Sequence, residues 1–291
     1  MKKAINAWSF PKEYTFEECI EAAKRFGFDG IEFNVDEENV GHSLTLSTTV
    51  DELLRIKSLC DLAGLKVVSI SSSLHRFGWG SSIPEEVSYA HSVLEKQLVA
   101  AHTFGADTVL VVPGGMKDGV LLSESRRNSI QNLKAALPMI EKYGITVGVE
   151  NVVNRFFTSP YDMLSFVDEV GSPLVQTYLD LGNMMAFSAP EYWCDVLRGR
   201  IAKIHIKDVK RIDQYRGRQA VPLLEGDLDF ALVMSILKRD GFDGYLTAEV
   251  SNYAALPTDD YLCGIAAAED KIIEFYNYDK DSYTYLLDKE K

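Results

Sequence analysis

A phrase recurs along this chain: a glycine, a few turn residues, then a short apolar run. It reads FGFDGIEF at 26–33, AGLKVVSI at 63–70, FGADTVLV at 104–111, YGITVGVE at 143–150 and DGFDGYLTAE at 240–249. Glycine accepts the left-handed backbone that ends a helix. A short apolar run buried on both faces suits a parallel strand. Amphipathic helices precede the phrases. Thr15 to Arg25 opens with Thr15 and Glu18 at capping-box spacing. Pro84 to Thr103 opens with a proline suited to a first helical turn. Ser123 to Lys142, Tyr161 to Val170 and Phe230 to Arg239 follow. Further runs at 3–8, 175–183 and 202–208 bring the strands to eight. This alternation predicts the α/β class and a single (β/α)8 TIM barrel. A doubly wound open sheet lacks support, because no GxGxxG follows the first strand and no GxxxxGK[ST] occurs.

The length of 291 residues suits one such barrel, expected over 1–278, with a polar tail at 279–291. The longest irregular stretch is expected at 210–229. With 30 Lys+Arg against 43 Asp+Glu, the net charge is −13. That argues against a nucleic-acid surface, which needs a basic stripe. One local basic cluster stands out: Lys207, Lys210, Arg211, Arg216 and Arg218. No run has the apolar length of a membrane span, and the first residues lack a signal-peptide core. A cytoplasmic protein with no membrane partner is expected. The cysteines (Cys19, Cys60, Cys194, Cys263) have no paired spacing and read as reduced thiols.

Chemistry-bearing residues gather at strand ends. Glu150, Asp180, His205 and Glu249 stand at or near the last positions of four successive strand runs. Alternation along a strand sets each of them opposite apolar neighbours. Val147 and Val149 oppose Glu150, Ile204 and Ile206 oppose His205, and Leu246 and Ala248 oppose Glu249. In a closed barrel the four polar side chains then converge on the C-terminal mouth. Three crowded carboxylates repel one another unless a cation lies among them. The donor set suits one divalent ion, Mn²⁺, Mg²⁺, Co²⁺ or Zn²⁺. The alternative is a set of rim charges satisfied by Lys203, Lys207 and Arg211.

The motifs VGVEN (147–151), LDLGN (179–183), HIKD (205–208), LLEGDLDF (223–230) and TAEV (247–250) resemble the sugar-phosphate isomerase/epimerase superfamily, the xylose-isomerase-like barrels. That group includes ketose 3-epimerases, hydroxypyruvate isomerase, inosose dehydratase and the apurinic endonuclease. The resemblance covers nearly the whole chain. It implies that Glu150, Asp180, His205 and Glu249 bind one metal ion, with Mn²⁺ expected. It also implies that Glu150 and Glu249 exchange protons with a sugar or sugar phosphate through an enediolate.

Substrate contacts are expected from several residues. Arg211 lies six residues after His205, as a substrate-binding arginine does in the ketose epimerases. Asn154-Arg155-Phe156 resembles an Asn-Arg-Phe of those enzymes, displaced by one residue. Phe157 stands where they carry a glutamate, and Asn183 where they carry a histidine. Both departures bear on which sugar is taken. His75 and Lys207 at the rim, and Trp8 and Phe157 as aromatic walls, complete the expected set. Gly114-Gly115 offers a close backbone approach, and Ser71 to Ser73 offers hydroxyls. Alternative readings are a metal-dependent lyase of the inosose dehydratase or C-glycoside-cleaving kind, an apurinic endonuclease, or a non-catalytic sugar-binding subunit. A homo-oligomer is expected from the family.

Overall fold

Strands and helices alternate along the chain as the repeat requires. They run β1 (Lys2–Asn6), α1 (Phe16–Arg25), β2 (Gly30–Val35), α2 (Val50–Ala63), β3 (Lys66–Ser72), α3 (Pro84–Phe104), β4 (Thr108–Val111), α4 (Leu122–Tyr143), β5 (Thr146–Glu150) and α5 (Pro160–Val170). They continue β6 (Val175–Asp180), α6 (Leu181–Met184), α7 (Pro190–Val196), β7 (Ile201–Ile206), β8 (Asp208–Asp213), β9 (Gly217–Val221), α8 (Phe230–Arg239), β10 (Tyr245–Ala248) and α9 (Thr258–Asn277). The structure, a computed structural model, describes residues 1–277 apart from 39, 76 and 214–216. The expected tail at 279–291, and Arg216 of the basic cluster, lie outside the described residues.

Eight strands close into one parallel barrel in the order β1-β10-β7-β6-β5-β4-β3-β2. The fold is therefore the single (β/α)8 barrel that the sequence predicts. Local chemistry sets the element ends. Thr15 and Glu18 form the capping box that starts α1. Gly105 and Gly144 end α3 and α4 with φ of 72° and 64°, the left-handed region that a side chain disfavours. The strand expected over 175–183 stops at Asp180. The Asp180 carboxylate accepts the Asn183 N–H at 2.7 Å and turns the chain into α6.

Alternation decides which residues pack between the barrel and its helices. Val147, Val149, Ile204, Ile206, Leu246 and Ala248 have no exposed surface. Burying each large aliphatic chain of this kind stabilises the fold by about 1.5–3 kcal/mol. The alternating residues face the barrel axis. A Cβ added at Gly148 would lie 2.9 Å from the Tyr178 Cβ, so the glycine makes room there for the Tyr178 ring.

The stretch 210–229 is not irregular throughout. Strands β8 and β9 pair antiparallel as a hairpin that follows β7 at the mouth. Its charged, non-alternating sequence carries no burial signal, because backbone pairing rather than a hydrophobic face forms it. The buried Asp208 carboxylate anchors its base, accepting the N–H groups of Val209 at 2.8 Å and Gly226 at 2.9 Å. The final helix, α9, packs on α8 and β1 and has no glycine phrase to announce it.

Candidate metal centre at the barrel mouth

Four adjacent strands carry the centre. Glu150 ends β5, Asp180 ends β6, His205 is next to last in β7, and Glu249 follows β10 directly. Although β10 ends at Ala248, Glu249 stays in line because its N–H donates to the Ile206 carbonyl at 3.1 Å. One ligand atom from each residue lies within 4.8 Å of the others. Among the described residues this is the one group of three or more such side chains placed to hold an ion. The two glutamates stand at the ends of the arc, with Asp180 and His205 between them.

The electrostatics call for a cation. Two carboxylates 4.8 Å apart repel by roughly 3–4 kcal/mol at an effective dielectric constant of about 20. Three such pairs approach the whole net stability of a domain, about 5–15 kcal/mol. The chain supplies part of the answer. Lys207 Nζ lies 3.0 Å from Glu249 Oε2, and His205 Nδ1 lies 3.0 Å from the same oxygen. Burial pushes the Glu150 carboxyl up to about 7, and the charges of Glu249 and Asp180 add to the rise against the opposing His205. Burial acts on Glu249 in the same sense, but Lys207 and His205 outweigh it and hold that carboxyl down at about 2. Burial also raises Asp180, against the pull of Lys207. Asp180 Oδ2 meets the Lys207 ammonium at 2.7 Å, which supplies part of the positive charge this buried oxygen needs. A hard oxygen-rich set with one imidazole fits a divalent ion.

The profile of the xylose isomerase-like TIM barrel family matches residues 20–271. The chain belongs to that family. Among curated relatives, the L-ribulose-5-phosphate 3-epimerase UlaE of Escherichia coli K12 is 25% identical over 276 residues, covering 93% of this chain and 94% of that one. Among solved structures, the IolI protein with a bound zinc atom superposes with a TM-score of 0.81 at 17% identity, covering 95% of this chain and 99% of that one. A D-tagatose 3-epimerase-like protein superposes with a TM-score of 0.78 at 20% identity, covering 95% and 98%.

Around this xylose isomerase-like centre the other expected residues divide. Lys207 joins the ligand cluster through Asp180 and Glu249. Asn183 sits in α6, its N–H on Asp180. Trp8 follows β1 half-buried, and its indole N–H donates to Asp36 Oδ2 at 2.9 Å. Arg211 is exposed on β8, and its backbone N–H donates to Asp227 at 2.7 Å. The residue that turns toward the centre is its cross-strand partner Arg218, which donates to the carbonyls of Gly182 at 3.0 Å and Asn183 at 3.1 Å. His75 is buried with both nitrogens engaged, by Gln97 at 2.8 Å and by the Trp79 indole at 3.0 Å. Burial depresses its pKa to about 4, so the ring is neutral. Phe157 packs edge-on against Phe156 and Phe166, with 2% of its surface exposed. The glycine pair after β4 makes room for protein: a Cβ at Gly114 would meet Phe156, and one at Gly115 would meet Asn154.

Three contributors stand outside the residues expected at the site. Asn151 holds both backbone groups of Asp180, accepting its N–H at 2.8 Å and donating to its carbonyl at 2.9 Å. The Tyr178 ring lies tilted against the His205 ring, their centroids 4.6 Å apart. Glu32 on β2 reaches across the axis to His205 Nε2 at 2.6 Å. A carboxylate midway along an apolar strand, as in GIEF, is the signal that would have flagged Glu32.

Proposed function

We propose that this chain is a divalent-metal-dependent ketose 3-epimerase, acting on a ketose phosphate. The observation that carries the reading is the arc itself: two glutamates at its ends, with an aspartate and a histidine between them, all within one ion's reach. Glu150, Asp180, His205 and Glu249 would hold the ion, with Mn²⁺ expected and Mg²⁺, Co²⁺ or Zn²⁺ as alternatives. When bound, the ion supplies Lewis acidity to the ketone oxygen of the substrate.

The chain's own groups do the proton work. One of Glu150 and Glu249 would take the proton from the carbon beside the ketone as general base. The other, at the opposite end of the arc, would return a proton to that carbon. Return to the opposite face inverts that carbon, and the reverse reaction exchanges the two roles. Lys207 keeps a positive charge beside Glu249 throughout. The preference for a phosphate ester rests on the L-ribulose-5-phosphate 3-epimerases among the relatives and on the basic hairpin strands beside the mouth. We propose a cytoplasmic homo-oligomer whose barrel spans 1–278. No described helix is long and apolar enough to cross a membrane.

Proton NMR in D₂O with the Mn²⁺-loaded chain, and the ion removed after turnover, tests this reading. L-Ribulose 5-phosphate should exchange its C3 proton and yield the C3 epimer, faster than unphosphorylated L-ribulose does. Loss of water or of another substituent instead of exchange would replace epimerisation with lyase chemistry. No exchange with any pentulose or pentulose phosphate would overturn the proposal.

A further inference from the structure

Glu32 is fully buried inside the barrel and lies among four side-chain donors. Asn6 and Ser69, its neighbours in register on β1 and β3, both donate to it. The Tyr178 hydroxyl donates from β6 at 2.6 Å, and His205 Nε2 lies at 2.6 Å from β7. Asn6, Ser69 and Tyr178 all donate to it, so the group that His205 meets is already acting as an acceptor on both oxygens. An ionised carboxylate is acceptor-only, so a neutral His205 facing it must carry its proton on Nε2. The other ring nitrogen, Nδ1, faces Glu249 at 3.0 Å and Glu150 at 3.4 Å. The two sides of one imidazole thus serve two separate sets of carboxylates.

We propose that Glu32 is the positioning residue of the metal centre: it accepts the Nε2 proton of His205 and leaves Nδ1 as the ligating nitrogen. This rests on the metal reading given above. Glu32 does not reach the mouth and touches none of Glu150, Asp180 and Glu249; it acts through His205 alone. A carboxylate behind a ligating histidine fixes its tautomer and ring angle and raises its basicity. Tyr178 braces the same arrangement, with its hydroxyl on Glu32 and its ring against His205. Ser69 and Asn6 occupy the remaining acceptor capacity, so Glu32 has no freedom to turn toward the mouth.

The test is Mn²⁺ binding to the metal-free full chain, read from the electron paramagnetic resonance of free Mn²⁺. Glu32→Gln keeps the side-chain shape and removes the charge; affinity should fall by about 10- to 100-fold. Glu32→Asp keeps the charge and should recover part of that loss. Equal affinity in the wild type and Glu32→Gln would overturn the positioning role and leave the metal reading intact. A wild-type chain that binds no Mn²⁺ would overturn the metal reading and, with it, this inference. A second measurement needs no variant. Long-range ¹H–¹⁵N correlation on histidine-labelled, Zn²⁺-loaded wild type should place the His205 proton on Nε2. A proton on Nδ1 would refute the proposal.

Discussion

Lys207 Nζ lies 2.7 Å from Asp180 Oδ2, an ammonium on a carboxylate with no exposed surface. It is the chain's own cation within the acidic arc. Burial opposes its charge, but Asp180, Glu249 and Glu150 stabilise that charge more strongly and raise its pKa well above the usual lysine value. A divalent ion held by the arc would therefore share these carboxylates with the lysine.

Lys207→Met should make the protein more dependent on metal. Leaving a buried charge without its partner costs about 3–5 kcal/mol, so the metal-free variant should melt well below wild type. Added Mn²⁺ should then raise its melting temperature by more than it raises the wild type's. Equal upshifts in thermal unfolding with and without Mn²⁺ would show that lysine and ion do not share these carboxylates.

Glu150→Gln and Glu249→Gln should each lower the epimerisation rate by about 10²- to 10⁴-fold, the range for a lost general acid or base. They should differ in isotope exchange. Each variant should wash deuterium preferentially into the epimer whose proton faces the glutamate that remains. Starting from both epimers and finding the same pattern in the two variants would remove the division of labour between the ends of the arc.

His75 should make stability fall in mild acid. Its folded pKa is lowered to about 4, below the usual 6.5, so the folded chain resists a proton that the unfolded chain takes. The contribution is fully present above pH 6.5 and is lost as pH falls toward 4. Between pH 7 and pH 5 the loss is on the order of 2 kcal/mol. Urea unfolding of wild type and His75→Gln at both pH values measures it. The variant should show less of this slope; an unchanged slope assigns it to other groups.

Gly226→Ala should loosen the hairpin base. The added Cβ would stand 2.0 Å from Asp208 Oδ1, while the Gly226 N–H donates to the same carboxylate. Overpacking of this kind costs about 1–3 kcal/mol. Urea unfolding should show the loss, and limited proteolysis should cut faster within 208–228. Unchanged stability and cleavage would mean that the anchor tolerates displacement.

The sequence makes legible whatever a short period or a local turn encodes. Glycine phrases mark the helix-to-strand junctions, and alternation along β5, β7 and β10 turns Glu150, His205 and Glu249 toward one another. It fails where partners meet across the axis. Glu32 lies within the first full phrase, yet its role depends on β7, 173 residues later and three strands around the ring. His75 follows a strand end as a rim residue would, but Trp79 one helical turn on and Gln97 on α3 draw its ring inside. Arg211 has the spacing of a substrate arginine. The antiparallel register of the hairpin nevertheless gives the inward reach to Arg218. A hairpin of charged residues leaves no hydrophobic pattern from which that register can be read.

Asp208 closes both ends of the excursion that carries these arginines, holding Val209 on one side and Gly226 on the other. The segment between is thus tied off like a loop of thread drawn through a single stitch. Besides that stitch, Arg218 joins it to the mouth through the Gly182 and Asn183 carbonyls. On the proposed function, a foreign hairpin grafted between those two anchor points would change which sugar is preferred while the four ligands keep their places.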